Sequence, residues 1–432
     1  MKPHSSLQIL GFLLVSNVCL AQQAIIKQSD YESRDSTLPI RCVLKGEVVD
    51  RPQSSRLILT KEGGDERISA TYIPILEGKF EYVLNCDYVE SYELTFHDEY
   101  LNGAWRPIKF FSESDTVEFK LFPVDEYGLN LVRGGEHNME YANYLSYRGH
   151  YYKDSHAEYD SLVAADNYYS PSFKELQEQR KKTEDRRTND SLSTLIQNMY
   201  DSGEAYTPEA TDLIKRIREL SSAFVKWEMD HIKENTTIVS YNLLVKKTQK
   251  AVKNKSEDIS ECFELFHSVY SKKYPSHPYT ALMDNLILSY SSVKVGGSYI
   301  DFTAPDFEGN PVKLSEQIEG KVALIDFWTS WCGPCRRNSI SMIPVYEEYK
   351  NKGFTVVGVA RERELSLAIK AVEKDGYPWL NLIELGDAGK IWEKYGIGNS
   401  GGSTFLVDKD GKIIAIRPTA QEVKAILDEL LK

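Results

Sequence analysis

The chain has 432 residues, enough for roughly three domains. Hydrophobic residues make up 41% and charged residues 27%, a globular composition that excludes a wholly disordered or collagen-like chain. The net charge is −12, and because phosphate binding depends on clustered positive charge, we predict no nucleic-acid partner.

Residues 1–21 have the pattern of a secretory signal peptide. Lys2 precedes a short apolar run at residues 9–15, and Ala21 stands at the expected cleavage site before polar sequence. The apolar run is too short to span a bilayer. We therefore expect an exported, periplasmic protein. Cys19 leaves lipidation open as an alternative, although Asn17 and Val18 do not provide the small residue that a bacterial lipoprotein signal requires.

Residues 22–130 are predicted to form an antiparallel, β-sandwich-like domain. Apolar and polar residues alternate in short segments at 40–44, 56–59, 78–84, 91–96 and 117–121. Cys42 and Cys86 each fall on an apolar face of such a segment. Two buried core thiols are favoured there, and a structural disulfide between them stays open.

Residues 131–293 are predicted to be a helical region. Thr207 and Pro208 supply an N-cap and a first helical position, and apolar residues then follow at helical spacing up to Trp227. Further helices are expected at 239–252, 259–270 and 279–293. The charge-rich residues 174–190 indicate a solvated helix or a linker, and Cys262 is interpreted as a core residue.

Residues 296–432 alternate strands and helices around a pair of cysteines. The apolar residues 322–328 predict a buried strand, and the sequence Trp331-Cys332-Gly333-Pro334-Cys335 follows it at the start of a predicted helix. A helix N-terminus stabilises a thiolate on the first cysteine, and the second lies close enough to attack a mixed disulfide. A zinc site is not predicted, because this region contains no His and no other Cys.

The C-terminal motifs resemble a thioredoxin-fold domain of the TlpA/ResA-like type. They are Ala304-Pro305-Asp306-Phe307, the strand ending in Asp326-Phe327-Trp328, the WCGPC sequence, and residues 403–408. The resemblance implies an exported thiol–disulfide oxidoreductase, usually a reductant. It also implies disulfide-containing exported protein substrates and a membrane reductant that supplies electrons. No cofactor is expected, because the dithiol carries both electrons. The preceding β-domain resembles the uncharacterised domain often placed before such modules.

The resemblance also suggests roles for residues of the site. Cys332 is expected to attack from the exposed end of the helix, and Cys335, one turn inside, to resolve the mixed disulfide. Asp326 is expected to take the proton of Cys335, with a pKa raised by burial. Substrate binding is assigned to residues of two loops, namely Trp331, Gly333, Pro334, Gly401, Gly402 and Ser403.

Three positions depart from the family pattern. Asn338 stands where the family often has Glu, and Asp326 where it often has Asn. Gly402 falls at the expected cis-proline. Because a cis bond before a non-proline residue costs about 2.5–4 kcal/mol, we expect a trans bond there, in a mobile loop that binds substrate weakly.

Two other functions remain open at this point. A thiol peroxidase is suggested by residues 304–307, but Ile325 stands where the peroxidase motif needs Pro, and Thr329 alone is weak support. The second alternative is a binding or scaffold protein with a vestigial thioredoxin-like domain.

Overall fold

The computed structural model describes residues 39–254 and 259–431. The predicted signal peptide and Cys19 lie outside the described residues. From Ile40 onward the chain forms one compact unit. Over the described ranges, no helix combines the length and the apolar character needed to cross a membrane.

The N-terminal part is built from short strands arranged in two sheets. In the described residues these sheets have the orders β4-β1-β7-β8 and β3-β2-β5-β6. Their apolar faces share one core, to which Leu44 and Val117 contribute from the first sheet and Leu57 and Phe110 from the second. The elements are β1 (Ile40–Val48), β2 (Arg56–Lys61), α1 (Glu66–Ser69), β3 (Thr71–Pro74), β4 (Lys79–Cys86), β5 (Ser91–Phe96), α2 (His97–Leu101), β6 (Ile108–Phe111), β7 (Thr116–Leu121) and β8 (Leu131–Arg133).

The prediction of a wholly antiparallel domain is wrong at one pairing. Strands β1 and β7 run parallel, with Val43 opposite Thr116. A parallel pair needs a long crossover connection, and here the connection from β1 to β7 contains β4 and all four strands of the other sheet. Alternation of apolar residues identifies a strand and its buried face but carries no information about the direction of its neighbour.

The cysteines of the β-domain are buried free thiols. In the antiparallel pair of β1 and β4, Cys42 lies opposite Leu84 and Cys86 lies opposite Ile40. Burial raises the pKa of the Cys42 thiol to about 11, so the thiolate is strongly disfavoured.

The middle of the chain is helical. Thr207 caps α7 as predicted, because its Oγ1 accepts a hydrogen bond from the Ala210 amide at 3.2 Å. The charged residues 174–190 are divided between two helices, and Cys262 lies in the helical core. The helices are α3 (Glu136–Tyr151), α4 (Lys153–Ala164), α5 (Pro171–Lys182), α6 (Arg186–Ser202), α7 (Pro208–Glu234), α8 (Ile238–Asn254), α9 (Ser260–Leu265), α10 (Ser271–Lys273) and α11 (Pro278–Ser292), with a π-helical turn at Phe266–Tyr270.

A buried polar network joins the helices to the β-sheet at Glu62, next to the end of β2. Its carboxylate accepts hydrogen bonds from Ser91 and from Asn242 of α8 and pairs with Lys109 at 3.1 Å and Lys246 at 3.2 Å. Burial by itself would raise the pKa of Glu62, but the two ammonium groups and the hydrogen bonds outweigh it and lower the pKa to about 2. These contacts hold the Glu62 side chain in place directly before the segment that follows β2.

The C-terminal part has a central mixed sheet of order β13-β12-β11-β14-β15. Strands β11, β12 and β13 are parallel, whereas β14 and β15 are antiparallel to their neighbours. The elements are β9 (Thr303–Pro305), β10 (Pro311–Lys313), α12 (Leu314–Ile318), β11 (Val322–Trp328), α13 (Gly333–Tyr349), β12 (Phe354–Glu362), α14 (Leu365–Asp375), β13 (Leu380–Leu385), α15 (Ile391–Lys394), β14 (Ser403–Val407), β15 (Ile413–Ile416) and α16 (Ala420–Leu430).

Candidate active site

The two cysteines of the C-x-x-C motif lie where the central strand β11 passes into helix α13. Cys332 is the N-cap of α13, and its Sγ accepts a hydrogen bond from the Cys335 amide at 3.2 Å. The two sulfurs form a disulfide, with the Cα atoms 5.3 Å apart. Pro334 stands in the first turn of the helix, where its missing N–H group has no intrahelical partner to lose.

The sequence predicts that Cys332 is more exposed than Cys335, and the structure shows the opposite order. Cys332 is only 5% exposed, whereas Cys335 is partly buried. The backbone of Gly401 lies against Cys332, since a Cβ at position 401 would be 3.2 Å from the Cys332 Sγ. The sequence places Cys332 at a helix N-terminus, but it cannot show which distant residues cover that end.

The loop before β14 brings two glycine backbones onto the disulfide. Gly401 has a φ of 147°, in the region that favours glycine. The Gly402 amide donates a hydrogen bond to the Cys335 Sγ at 3.1 Å. No peptide bond in the described ranges is cis, so the bond before Gly402 is trans, as predicted. The hydrogen bond with Cys335 gives a specific partner to a position that the sequence suggested would be mobile.

Position 402 has no room for a side chain. A Cβ there would lie 1.7 Å from the Phe327 carbonyl oxygen and 3.2 Å from the Cys335 Sγ. A proline would add the same clash and remove the N–H that reaches the sulfur. We therefore expect Gly402→Pro to disrupt the loop in this chain.

We expect Gly402→Ala to lower the free energy of unfolding by at least about 2 kcal/mol, the range typical of overpacked sites. Urea denaturation of the oxidised protein measures the change. Gly398→Ala is the matched control, because a Cβ at 398 meets no described heavy atom within 4 Å. Equal stabilities of the two variants would contradict the close approach at Gly402.

A buried carboxylate lies behind the cysteines. Asp326, in the middle of β11, is 2% exposed, and its Oδ2 accepts a hydrogen bond from Ser339 Oγ at 2.6 Å. The same Oγ lies 3.1 Å from the carbonyl oxygen of Cys335. Burial raises the pKa of Asp326 to about 6, with the Ser339 hydrogen bond opposing the shift. Ser339 thus links Asp326 to Cys335, the residue whose proton Asp326 is expected to accept.

Sequence reasoning missed Ser339 and Glu362. Ser339 lies four residues after Cys335 and therefore on the same face of α13, a spacing that could have identified it. Glu362 ends β12, and its carboxylate accepts a hydrogen bond from the Ser330 amide in the turn before the motif. Burial raises the pKa of Glu362 as well, against that hydrogen bond. No motif in the sequence connects it to the site.

The other predicted substrate-binding residues differ in how close they lie to the disulfide. Trp331 and Gly333 flank Cys332 directly, and Pro334 is exposed between the cysteines. Ser403 begins β14, lies opposite Phe327 in the sheet and accepts a hydrogen bond from Arg417 at 3.3 Å. Ser403 is buried, and its part in substrate binding stays a prediction.

Comparisons with known proteins place this region among redox proteins. The AhpC/TSA family profile matches residues 295–416. Thiol-disulfide oxidoreductase ResA of Bacillus thuringiensis subsp. konkukian is 31% identical over 140 residues, which cover 32% of this chain and 78% of that protein. ResA of Geobacillus thermodenitrificans is 31% identical over 150 residues, covering 34% of this chain and 83% of that protein.

A solved structure is also similar. The thioredoxin domain of a thiol-disulfide oxidoreductase from Bacteroides vulgatus shares 30% identity, covers 33% of this chain and 100% of that chain, and has a TM-score of 0.30. The relatives named ResA do not favour the thiol peroxidase or scaffold alternatives. Because most of the length of ResA is matched, the chain belongs to the TlpA/ResA-like family and is a thiol–disulfide oxidoreductase with a C-terminal thioredoxin-like domain.

Proposed function

We propose that this protein reduces disulfides of exported proteins, with Cys332 as the attacking thiol and Cys335 as the resolving thiol. The position of Cys332 carries the proposal. Its sulfur caps helix α13 and accepts the Cys335 N–H, so both the hydrogen bond and the helix dipole favour a thiolate there. The Cys335 sulfur receives its hydrogen bond from another loop, at Gly402.

The reaction has two thiol–disulfide exchange steps. The Cys332 thiolate attacks one sulfur of the substrate disulfide, forming a mixed disulfide and releasing the other sulfur as a thiolate, which takes a proton from solvent. Cys335 then gives its proton to Asp326 and attacks the Cys332 sulfur. The second substrate sulfur leaves as a thiolate, and the enzyme acquires the Cys332–Cys335 disulfide. The dithiol supplies both electrons, and no cofactor is required.

The proposal of export rests on residues 1–21, with Lys2 before an apolar run. Disulfides persist outside the cytoplasm, and an enzyme reducing them there needs a membrane reductant to regenerate its dithiol. Fusion of residues 1–21 to a reporter enzyme tests this part, since a reporter retained in the cytoplasm would contradict it.

The full chain, reduced with dithiothreitol, should reduce insulin disulfides catalytically. We expect Cys332→Ser to abolish turnover, because no attacking thiolate remains. The matched control is Cys262→Ala, a buried cysteine of the helical core, which should retain activity. Turnover by Cys332→Ser at the original rate would contradict the mechanism. A reduction potential near the oxidant value of about −120 mV, rather than near about −270 mV, would contradict the direction of electron flow.

A further inference from the structure

A short segment of the β-domain lies on the active site. This segment, residues 63–67, follows β2 and leads into α1, and we refer to it as the cap segment. The guanidinium carbon of Arg67 is 3.4 Å from the centroid of the Trp331 ring. The Nη2 atom of Arg67 donates a hydrogen bond to the carbonyl oxygen of Asn399 at 2.5 Å.

Arg67 therefore contacts both of the segments that lie next to the nucleophile, one on each side of Cys332. Trp331 directly precedes Cys332 on one side. Asn399 lies on the other side, in the loop that continues to Gly401, whose backbone packs against the Cys332 sulfur. Substrate binding is assigned to the loops of Trp331 and Gly401, so a polypeptide disulfide bound by both loops would lie between these two sides. In the structure Arg67 bridges them, and Cys332 is 5% exposed.

The base of the cap segment is held more firmly than its tip. Asp65 is fully buried and lies 3.5 Å from Arg361 of β12. The Asn399 side-chain amide donates to the Gly63 carbonyl at 3.0 Å, and Glu62, just before the segment, is fixed by its two lysines. By contrast, the Arg67 side chain is 34% exposed, so it can exchange its contacts for water.

Asp65 also keeps a partner when Arg67 moves. Its carboxylate accepts two hydrogen bonds from the Arg67 guanidinium, at 2.8 and 2.9 Å, and one from the Arg67 amide, while also facing Arg361. Departure of Arg67 leaves Asp65 with one cation, the Arg361 guanidinium at 3.5 Å, which is shared with Asp387. The contact of Arg67 with Trp331 opens at low cost, since cation–π contacts at exposed sites are weak, and water can replace the Asn399 carbonyl as an acceptor.

We propose that Arg67 is a specificity-determining residue that restricts access to Cys332, so that the intact protein discriminates against bulky protein disulfides. An extended substrate chain has to displace Arg67 from Trp331 and Asn399 before the first exchange step. A small disulfide needs a narrower opening and depends less on this displacement. The proposal rests on the proposed function, because it takes Cys332 as the attacking thiol.

The test compares Arg67→Ala with the wild-type full chain on two substrates. We expect kcat/KM for insulin to rise at least about tenfold, while kcat/KM for hydroxyethyl disulfide, a small neutral substrate, changes less than about twofold. Arg56→Ala is the matched control, since Arg56 stacks on Tyr72 at 4.8 Å in the same domain but shares no contact with Arg67 among the residues that the structure describes. This variant should match the wild type on both substrates.

A second measurement does not depend on turnover. In a reduced Cys335→Ser background, Arg67→Ala should accelerate modification of Cys332 by a polyethylene-glycol maleimide more than by N-ethylmaleimide. Arg67→Lys keeps the charge but loses the planar fork, so its effect should be intermediate. An unchanged ratio of the two maleimide rates, or a lower insulin activity of Arg67→Ala, would overturn the proposal. If insulin activity instead survives Cys332→Ser, the proposed function itself fails.

Discussion

Cys335→Ser is expected to halt the enzyme at the mixed disulfide, with one substrate molecule bound per chain. The Cys332 sulfur keeps its helix N-cap position and its hydrogen bond from the amide of residue 335, so the first attack is retained. Serine cannot carry out the second exchange, and the adduct accumulates. Mass spectrometry of the reduced variant after incubation with a disulfide peptide measures the adduct, and dithiothreitol should release it.

For the two cysteines, exposure and electrostatic environment predict opposite orders of reaction, so the trapping experiment distinguishes between them. Cys335 is the more exposed of the pair, whereas Cys332 has the electrostatic environment of a nucleophile. If exposure decided reactivity, the adduct would form on Cys335 in the Cys332→Ser protein. Trapping in that variant, with none in Cys335→Ser, would reverse the assigned roles.

The sequence was sufficient where the relevant residues are contiguous or regularly spaced. An apolar strand followed directly by Cys332 and Cys335 at a helix start predicts both the local structure and the redox chemistry. The position of Asp326 within an otherwise apolar strand likewise predicts its raised pKa, which burial brings to about 6. These inferences need no knowledge of long-range packing.

The sequence was insufficient where residues far apart in the chain meet. In the sequence Arg67 is an ordinary charged residue of the β-domain, and only the fold shows that it lies on Trp331. The two glycines before β14 suggest freedom, yet Gly402 is held against the Phe327 carbonyl and the Cys335 sulfur. The parallel pairing of β1 with β7 depends on the arrangement of both sheets. Such contacts are set by tertiary packing, which the local pattern does not encode.

A second large effect is expected for Asp326→Asn. This substitution should first of all change how the free energy of unfolding depends on pH. The carboxyl pKa is about 6 in the folded protein and 3.8 ordinarily. Between these values the folded protein holds a proton that the unfolded chain has lost, so the free energy of unfolding falls as the pH rises from about 4 to 6. Above pH 6 the buried carboxylate is ionised, and this lowers the free energy of unfolding by on the order of 3 kcal/mol for such a difference in pKa.

The asparagine side chain in this variant does not ionise, so the variant should lack this pH dependence. Relative to the wild type, its free energy of unfolding should rise by up to about 3 kcal/mol between pH 4 and pH 8. Urea denaturation of the oxidised proteins at several pH values gives the difference. The difference between pH values is the relevant quantity, because the buried amide introduces a constant penalty of its own. Parallel stability curves for the two proteins would contradict a buried, proton-binding Asp326.

The same substitution should separate the two chemical steps. A carboxyl group with a pKa near 6 can accept the Cys335 proton near neutral pH, and loss of a general base typically slows a step by about 10² to 10⁴. Release of the mixed disulfide should therefore slow by that order in Asp326→Asn, while the first attack by Cys332 changes much less.

Ser339→Ala should slow the same step more weakly, since it removes the hydroxyl between Asp326 and the Cys335 carbonyl. Ser341→Ala is the matched control on the same helix, since the Ser341 hydroxyl donates to the nearby Asn338 carbonyl and not to Asp326 or Cys335. Stopped-flow measurement of both steps distinguishes a proton acceptor from a structural carboxylate, because a structural role would slow attack and release alike.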